Sequence, residues 1–384
     1  MRSALSQARR ALGRTFPNPS VGAVVFRGQR ILGRGRTQPP GGSHAEVVAI
    51  ESARRRHGER ALRGASLAVT LEPCCFRGRT GPCTEVIIGA GIGRVYVGCR
   101  DPHRRVSGRG ARQLTASGIE VTLGVLEADC RRLHRGFFSI CQRGRPFVTL
   151  KLASSLDGRI ATATGESRWI TGPEARRLVH RLRARVDGVM VGSGTALADD
   201  PELTARVGDR VVQRPVRVLV DSKLRVPTDA KLYRELTGAG KGRTLVLTRA
   251  RARRRRAVAA TGAELLELPP AGGYIDLVTG MRALSEAGLT TLLVEGGGGL
   301  AAALLRAELV DEIHWLQAPR LLGGDGRPAL GALGLERLAD AVTLPNARVR
   351  RLGADLHLQA SLWPVEMSAS GAAERSRRRV GSSA

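Results

Sequence analysis

Short runs of aliphatic and β-branched residues recur along the whole chain, and segments with helical spacing separate them. Such runs include "LAVTL", "TLVLT" and "TLLV". Uninterrupted apolar runs of about four to eight residues are typical of strands that are buried on both faces. The regular alternation of these strands with helices predicts an α/β protein built around a largely buried sheet.

The alternation falls into two series, which suggests that the 384 residues form two domains. A short polar linker is expected over 143–146, and a strong strand is expected directly after it. The last residues are small, polar and basic, and this composition is typical of disorder. We therefore expect one domain over residues 1–143, a second over 147–366 and a disordered basic tail over 367–384.

The composition argues against several classes of protein. The net charge of +28 would suit a nucleic-acid partner, but the aromatic residues that would stack on bases are missing, since aromatics make up 3% of the chain. No apolar run is long enough to span a membrane, and the basic start has no apolar core typical of a secretory signal. Without such a signal, the six cysteines are expected to be metal ligands or free thiols. We expect a cytoplasmic protein that acts on anionic small molecules.

One cluster in the first half carries recognisable chemistry. In "SHAEVVAI", His44 stands at the expected start of a helix, and in "LEPCCFRGRTGPC", Cys74 and Cys83 stand on a loop after an expected strand. These are three ligands of the kinds that zinc binds, and catalytic zinc sites keep a fourth position for water. Glu46 lies in the first helical turn, where it can transfer protons without binding the metal. The H-x-E and P-C pattern is that of zinc deaminases.

Two other interpretations of this cluster stay open: a closed, structural zinc site, and three buried thiols without metal. A closed site needs a fourth ligand, and Cys75 is the local candidate. Adjacent residues of an extended chain point in opposite directions, so we do not expect Cys75 to bind the same ion as Cys74.

The second half contains "LLVEGGGGLAAALL", a strand followed by four glycines and a helix. Glycine N–H groups at a helix N-terminus bind phosphate, which favours a nucleotide site. The late position of this segment in the chain argues against a Rossmann domain. Asp199 and Asp200 are expected to end a loop, where they could cap a helix or bind sugar hydroxyls, and Arg183 and Arg206 could each hold a phosphate. An equally good interpretation is that all of these residues form turns and surface ion pairs.

Further motifs make the chain similar to a known family. "PNPSVGAVV", "HAE", "TLEPC", "GRTGPC" and "DPHRRVSGRG" resemble the deaminase half of the bifunctional riboflavin-biosynthesis deaminase–reductases. The resemblance implies a three-layer, cytidine-deaminase-like domain with zinc on His44, Cys74 and Cys83 and with Glu46 as proton shuttle. The implied reaction is hydrolytic removal of the 2-amino group from a diaminopyrimidinone that carries a phosphoribosylamino group.

The second half resembles the reductase half of the same family, through "KLASSLDGRIA", "GESRWITG", "ALADDPELTAR" and "VEGGGGLAAALL". This implies a dihydrofolate-reductase-like domain that uses NADPH to reduce the ribosyl group to ribityl. The residues implied to contact NADPH are Ala153, Trp169, Thr195, Asp199, Ser222, Gly297, Gly298, Gly299, Leu300, Ala301, Ala302 and Ala303. Those implied to contact the substrate, a phosphorylated pyrimidine, are Ser167, Arg183, Leu203, Arg206 and Glu295.

The chain departs from the usual family pattern in the zinc loop, where Phe76 and Arg77 replace polar residues that are commonly histidine. A reductase with an impaired deaminase domain is therefore one alternative. A tRNA adenosine deaminase is another, but it predicts a short P-C-x-x-C motif and no second nucleotide domain. We further expect a homo-oligomer.

Overall fold

The first half of the chain builds a five-stranded sheet whose strands lie in the order β2-β1-β3-β4-β5. A hairpin joins the antiparallel strands β1 and β2, β1 pairs antiparallel with β3, and the remaining pairs are parallel. The strands are β1 Gly22–Arg27, β2 Arg30–Arg36, β3 Ser66–Leu71, β4 Arg94–Cys99 and β5 Glu120–Thr122. The helices are α1 Arg2–Arg9, α2 Ala45–His57, α3 Cys83–Gly89, α4 Arg109–Ala116, α5 Glu127–Leu133 and α6 Arg135–Arg143.

Helices cover both faces of this sheet, so the domain has three layers. Gly33 and Gly35 of β2 lie against the backbone of α2, whereas Gly22 of β1 lies against the backbone of α1. Successive strand residues point to opposite faces, and the β1–β2 register puts Gly22 on the other face from the two β2 glycines. The α/β class that the alternation of strands and helices predicted, and the three layers that the family resemblance implied, are confirmed.

The second half forms a nine-stranded sheet in the order β13-β12-β11-β8-β16-β6-β17-β20-β19. The seven strands from β13 to β17 run parallel, and the last two pair antiparallel. These strands are β6 Phe147–Ser155, β8 Gly188–Gly192, β11 Val216–Val220, β12 Thr244–Thr248, β13 Glu264–Glu267, β16 Thr291–Val294, β17 Glu312–Ala318, β19 Arg348–Leu352 and β20 Asp355–Ser361. Six further strands form separate two-stranded sheets: β7 Arg159–Ala161 with β18 Arg327–Pro328, β9 Ala205–Val207 with β10 Arg210–Gln213, and β14 Pro270–Ala271 with β15 Tyr274–Ile275.

The central strands of this sheet are buried on both faces, as their continuous apolar runs predicted. Two hydrophobic clusters cover the two faces of the sheet. Leu292 of β16 packs into one of them, and its neighbour Leu293 packs into the other. The helices of this half are α7 Pro173–Arg183, α8 Ser193–Asp199, α9 Arg253–Ala260, α10 Leu277–Glu286 and α11 Gly298–Arg306.

This computed structural model describes residues 1–78, 81–234, 242–249, 253–271 and 274–362. The predicted tail over 367–384 and the last residues of the second predicted domain lie outside this part. None of the helices in the described ranges is long and apolar enough to cross a membrane.

One local expectation was wrong. The segment before Asp200 was expected to be a loop, but it forms helix α8, which ends at Asp199. The segment expected to be a short polar linker joins α6 to β6. Arg145 of this connection is buried against Asp311 of the second half, with Nη–Oδ distances of 2.8 and 2.9 Å.

Candidate active sites

Three side chains of the first half converge at one point because two helices begin there. His44 is the residue that precedes α2, and Cys83 is the first residue of α3. Cys74 follows the end of β3, and its carbonyl oxygen accepts a hydrogen bond from the Thr84 N–H at 3.2 Å. The Cys83 N–H lies 3.4 Å from the Cys74 sulfur, where it can donate to a thiolate. The predicted ligands are therefore held by local backbone geometry.

The arrangement of the ligand atoms fits a zinc ion. His44 Nδ1 lies 3.2 Å from the Cys83 Sγ and 3.6 Å from the Cys74 Sγ. All three ligand atoms lie within 4.8 Å of one another. Tetrahedral zinc, with bonds of about 2.0 to 2.3 Å, separates its ligands by about this much. Within the described residues, no fourth histidine, cysteine or acid joins the cluster, which leaves one coordination position for water.

Glu46 lies beside this cluster on the first turn of α2 and is 4% exposed. Burial, together with the negative charge of Cys74, raises the pKa of Glu46 to about 7. The hydrogen bond with Cys83, aided by His44, lowers the pKa of Cys74 to about 4. The site therefore contains a thiolate suited to metal binding and a carboxyl group that can hold or release a proton near neutral pH.

The neighbouring loop residues point elsewhere. Cys75 lies outside the ligand cluster, as predicted, with its Sγ 3.7 Å from the Arg105 carbonyl oxygen. The Phe76 ring stacks on His103 at a centroid distance of 6.0 Å, and the Arg105 Cζ lies 4.0 Å from the Phe76 centroid. The phenylalanine that departs from the family pattern therefore packs the zinc loop against 103–105.

A second buried acid supports that loop, and the sequence analysis did not single it out. The Glu72 carboxylate accepts hydrogen bonds from the N–H groups of Asp101, Gly108 and Ala111 at distances of 2.9 to 3.2 Å. Glu72 thereby fixes the segment that carries His103 and Arg105. Its position directly before the Pro-Cys pair was the available signal.

In the second half, the centre of the candidate site is Glu295, which follows β16. Arg183 binds it with both ends of its guanidinium group, at 2.6 Å to Oε1 and 3.0 Å to Oε2. The Lys151 Nζ lies 3.9 Å from the same carboxylate. Burial would raise the pKa of Glu295, but the charge and hydrogen bonds of Arg183 lower it below its usual value. The carboxylate is therefore held ionised between two cations.

Lys151 was not among the predicted site residues. It lies in the middle of β6, inside an apolar run, which hid it among core residues. Burial lowers the pKa of its ammonium group, and the charge of Glu295 opposes that effect. A single lysine within a buried strand was the signal, because an unpaired charge is almost never buried.

Arg206 joins this centre through Thr204. Arg183 Nη1 donates to the Thr204 carbonyl oxygen at 3.0 Å, and Arg206 Nε donates to the Thr204 Oγ1 at 3.1 Å. Leu203 is 3% exposed and packs into the hydrophobic core, so its contribution to a substrate site would be through the backbone.

Two of the segments predicted to contact NADPH meet directly. The Gly297 N–H donates to the Thr195 Oγ1 at 3.0 Å, which ties the end of β16 to helix α8. No side chain caps the N-terminus of α11, and Gly299 has open space where a side chain would stand. Uncapped N–H groups next to open glycine backbone fit a dinucleotide phosphate. Ala301 and Ala302 are buried and would contribute only through the helix.

The remaining predicted residues lie along the same edge of the sheet or on nearby loops. Arg168, between Ser167 and Trp169, donates to the Asp199 carbonyl oxygen at 3.1 Å. Trp169 is 63% exposed. Ala153 is paired with Leu316 in the β6–β17 register, and Ser222 follows β11.

Comparisons with known proteins bear on both halves. Residues 146–358 match the RibD C-terminal domain, and residues 1–99 match the cytidine and deoxycytidylate deaminase zinc-binding region. The riboflavin biosynthesis protein RibD of Escherichia coli is 39% identical over 93% of this chain and 98% of its own length. The chain belongs to the RibD family. It is a bifunctional enzyme of riboflavin biosynthesis, a deaminase and a reductase.

Other members of the RibD family match nearly the whole length of this chain. RibD of Aquifex aeolicus is 39% identical over 93% of this chain and 96% of its own length. The structure of Acinetobacter baumannii RibD, 36% identical, superposes with a TM-score of 0.81 and covers 94% of this chain and 97% of its own. A Thermotoga maritima diaminohydroxyphosphoribosylaminopyrimidine deaminase/5-amino-6-(5-phosphoribosylamino)uracil reductase, 35% identical, gives the same TM-score and coverage. The predicted family and fold class are confirmed.

Proposed function

We propose that this chain catalyses two consecutive steps on one pyrimidine. The first is hydrolytic deamination of 2,5-diamino-6-(phosphoribosylamino)pyrimidin-4-one, and the second is NADPH-dependent reduction of the ribosyl side chain to ribityl. We assign the first step to residues 1–143 and the second to residues 147–366. The two activities for which the Thermotoga maritima relative is named, together with the two separate clusters of polar residues, support this proposal.

For the deamination, His44, Cys74 and Cys83 would hold the zinc ion. When bound, the ion supplies Lewis acidity and activates a water molecule. Glu46 is buried next to the ligands and would receive the proton from that water and deliver a proton to the departing amino group. This role requires a carboxyl group that does not itself bind the metal.

For the reduction, the uncapped start of α11 would hold NADPH together with Thr195 and Asp199 of α8. Ala153, Trp169 and Ser222 would complete this cofactor site. The cofactor supplies a hydride. Glu295 and Arg183 would orient the ribosyl group, with Ser167, Leu203 and Arg206 around the substrate. The Lys151 ammonium group lies beside Glu295 and would donate a proton to the opened sugar.

One observation carries the proposal: three ligand atoms from separate segments lie within 4.8 Å of one another, beside a buried glutamate. An impaired deaminase domain is the less supported alternative. Phe76 and Arg77, which raised this alternative, lie outside the cluster of His44, Cys74 and Cys83.

The test measures ammonia release from the diaminopyrimidinone and, in a separate assay that supplies the deaminated intermediate, NADPH oxidation, with zinc measured on the same sample. We expect Glu46→Gln to keep zinc and NADPH oxidation but to lose about 10²- to 10⁴-fold in ammonia release, because the proton shuttle is gone. Asp199→Asn serves as the reciprocal variant and should slow only the reduction. Equal loss of both activities in either variant would contradict two independent sites.

We further propose a homo-oligomer in the cytoplasm, acting on a small molecule and not on nucleic acid. All six cysteines are free thiols, which is typical of a reducing compartment. The region around the edge strand β19 exposes apolar side chains, among them Leu338 at 92% and Val349 at 62% exposure. Sedimentation equilibrium would test the assembly, and a strictly monomeric chain would exclude it.

A further inference from the structure

We propose that His180 is a positioning residue of the reductase domain, which holds Arg206 in place for the substrate through a hydrogen bond from the Arg206 N–H to the imidazole ring. The proposal rests on the proposed reductase function, because that function places Arg206 beside the substrate.

Helix α7 satisfies one side of the short strand that carries Arg206. In the part of the chain that the structure describes, β9 pairs with β10 alone, and Arg206 stands opposite Val211 in that register. The Arg206 N–H points away from β10, because it donates to the His180 Nδ1 at 3.1 Å. The carbonyl oxygen of Thr204, two residues earlier, accepts from Arg183 Nη1 at 3.0 Å. Such groups face the same side of an extended chain, so side chains of α7 take the place of a neighbouring strand.

The segment before β9 has a backbone that needs such support. Leu203 has a φ of 56°, in the left-handed region that residues with a side chain rarely adopt. A conformation of this kind persists only where surrounding contacts hold it. His180 and Arg183 lie on one face of α7, since they are three positions apart in the helix. Their two hydrogen bonds therefore fix the residues that follow Leu203.

The hydrogen bond also defines the state of the imidazole ring. A ring nitrogen that accepts a hydrogen bond carries no proton, so His180 is neutral and has its proton on Nε2. Burial and the charge of Arg183 lower the pKa of His180. The Thr204 backbone and the charge of Glu295 oppose this shift, and the charge of Arg206 adds to it. His180 is therefore available as an acceptor at neutral pH.

The Arg206 side chain is accessible to an anionic substrate. Its Nε donates to the Thr204 Oγ1 at 3.1 Å, it pairs with Glu202, and it is 35% exposed. Hydrogen bonds of a guanidinium group to an anion depend on its orientation. Loss of the acceptor on α7 would leave the Arg206 N–H without a partner and release β9 from the helix that carries Arg183. Substrate binding should then weaken, whereas NADPH binding should not.

The experiment compares His180→Leu with His180→Asn in the full chain, with the deaminated pyrimidine supplied. Leucine removes the acceptor and keeps a similar volume, whereas the asparagine Oδ1 can stand where the imidazole Nδ1 stood. We expect the leucine variant to raise the KM for the pyrimidine by about 10-fold and to keep kcat within about threefold. The asparagine variant should keep both constants within about threefold of the wild type.

Three controls accompany these variants. The KM for NADPH and the rate of ammonia release should stay within about twofold in both, because neither site contains Arg206. Arg177→Ala changes an exposed residue of the same helix and should leave every constant unchanged. An asparagine variant as poor as the leucine variant would overturn the proposal, because it would show that the imidazole ring itself is required.

A double-mutant cycle tests whether His180 acts through Arg206. In an Arg206→Ala background, His180→Leu should raise the KM by less than about twofold, because the side chain that it positions is absent. Effects of the two substitutions that multiply in full would overturn the proposal.

Hydrogen exchange at the Arg206 amide gives a measurement that does not depend on a folded leucine variant. We expect slow exchange in the wild type and in the asparagine variant. Exchange in the wild type at the rate of an exposed amide would overturn the proposal and leave the reductase function intact. Failure of the function itself looks different. A wild-type chain that oxidises no NADPH, or Arg206→Ala with an unchanged KM, would contradict the proposed substrate site, and the assignment of His180 with it.

Discussion

Glu46 and His134 show how burial acts on titratable side chains of the deaminase domain. Both side chains are almost fully buried, and the loss of hydration disfavours the charged form of each. The pKa of the acid therefore rises to about 7, whereas the pKa of the histidine falls to about 3. For Glu46 the raised pKa suits the proton transfer that we propose for this residue. For His134, whose Nε2 lies 3.1 Å from the Thr70 Oγ1, the consequence is a dependence of stability on pH.

The sign of that dependence follows from the lowered pKa of His134. Between the usual histidine value of about 6.5 and about 3, the unfolded chain binds a proton that the folded chain does not. Stability should therefore fall as the pH drops through this window, by at most about 1.4 kcal/mol per unit. We expect His134→Gln to flatten this slope, as measured by urea unfolding at several pH values below 6.5. An unchanged slope would show that other groups cause it.

At the scale of the element, the contact between α2 and β2 positions the zinc site. A Cβ atom on Gly35 would lie 2.1 Å from the Ala45 carbonyl oxygen, and one on Gly33 would lie 2.2 Å from that of Ala49. Both neighbours are helix backbone and cannot turn aside. Glycine at these positions thus lets the helix pack directly on the sheet, which brings His44 to the cysteines.

Gly35→Ala should accordingly push α2 away from the sheet. We expect a loss of about 1 to 3 kcal/mol in the free energy of unfolding, together with reduced zinc content, because the His44 end of the helix is displaced. Calorimetry and metal analysis of the purified chain measure both. Gly28→Ala is the matched control, since a Cβ there meets nothing within 4 Å, although its positive φ adds some strain. Retained zinc and stability in Gly35→Ala would refute the packing argument.

At the scale of the molecule, buried ion pairs connect the two halves. Asp311 is fully buried, binds Arg143 and Arg145, and accepts the Val148 N–H at 2.8 Å. The next residue, Glu312, binds Arg135 at 2.7 Å. These acids lie at the start of β17, and their partners lie at the end of the first half. The two catalytic domains are therefore fixed to each other where the chain passes between them.

Asp311→Ala should leave the guanidinium group of Arg145 buried without a counter-charge. We expect a cost of about 3 to 5 kcal/mol and a separation of the calorimetric transition into two, one for each domain. Removal of an exposed partner provides the comparison. Glu120→Ala breaks the surface pair with Arg94 and should cost less than about 1 kcal/mol. A single, unshifted transition in Asp311→Ala would exclude the proposed coupling.

The sequence by itself predicted the cluster of His44, Cys74 and Cys83, the α/β fold class and the family, because these depend on residue types at short spacing. Only the tertiary structure showed that Lys151 lies against Glu295 and that Arg145 binds Asp311, 166 positions away. It also showed that a helix, α8, precedes Asp200. Local spacing specifies which chemistry a segment can carry. Which distant charges meet depends on strand order and on the desolvation that forces buried charges to pair.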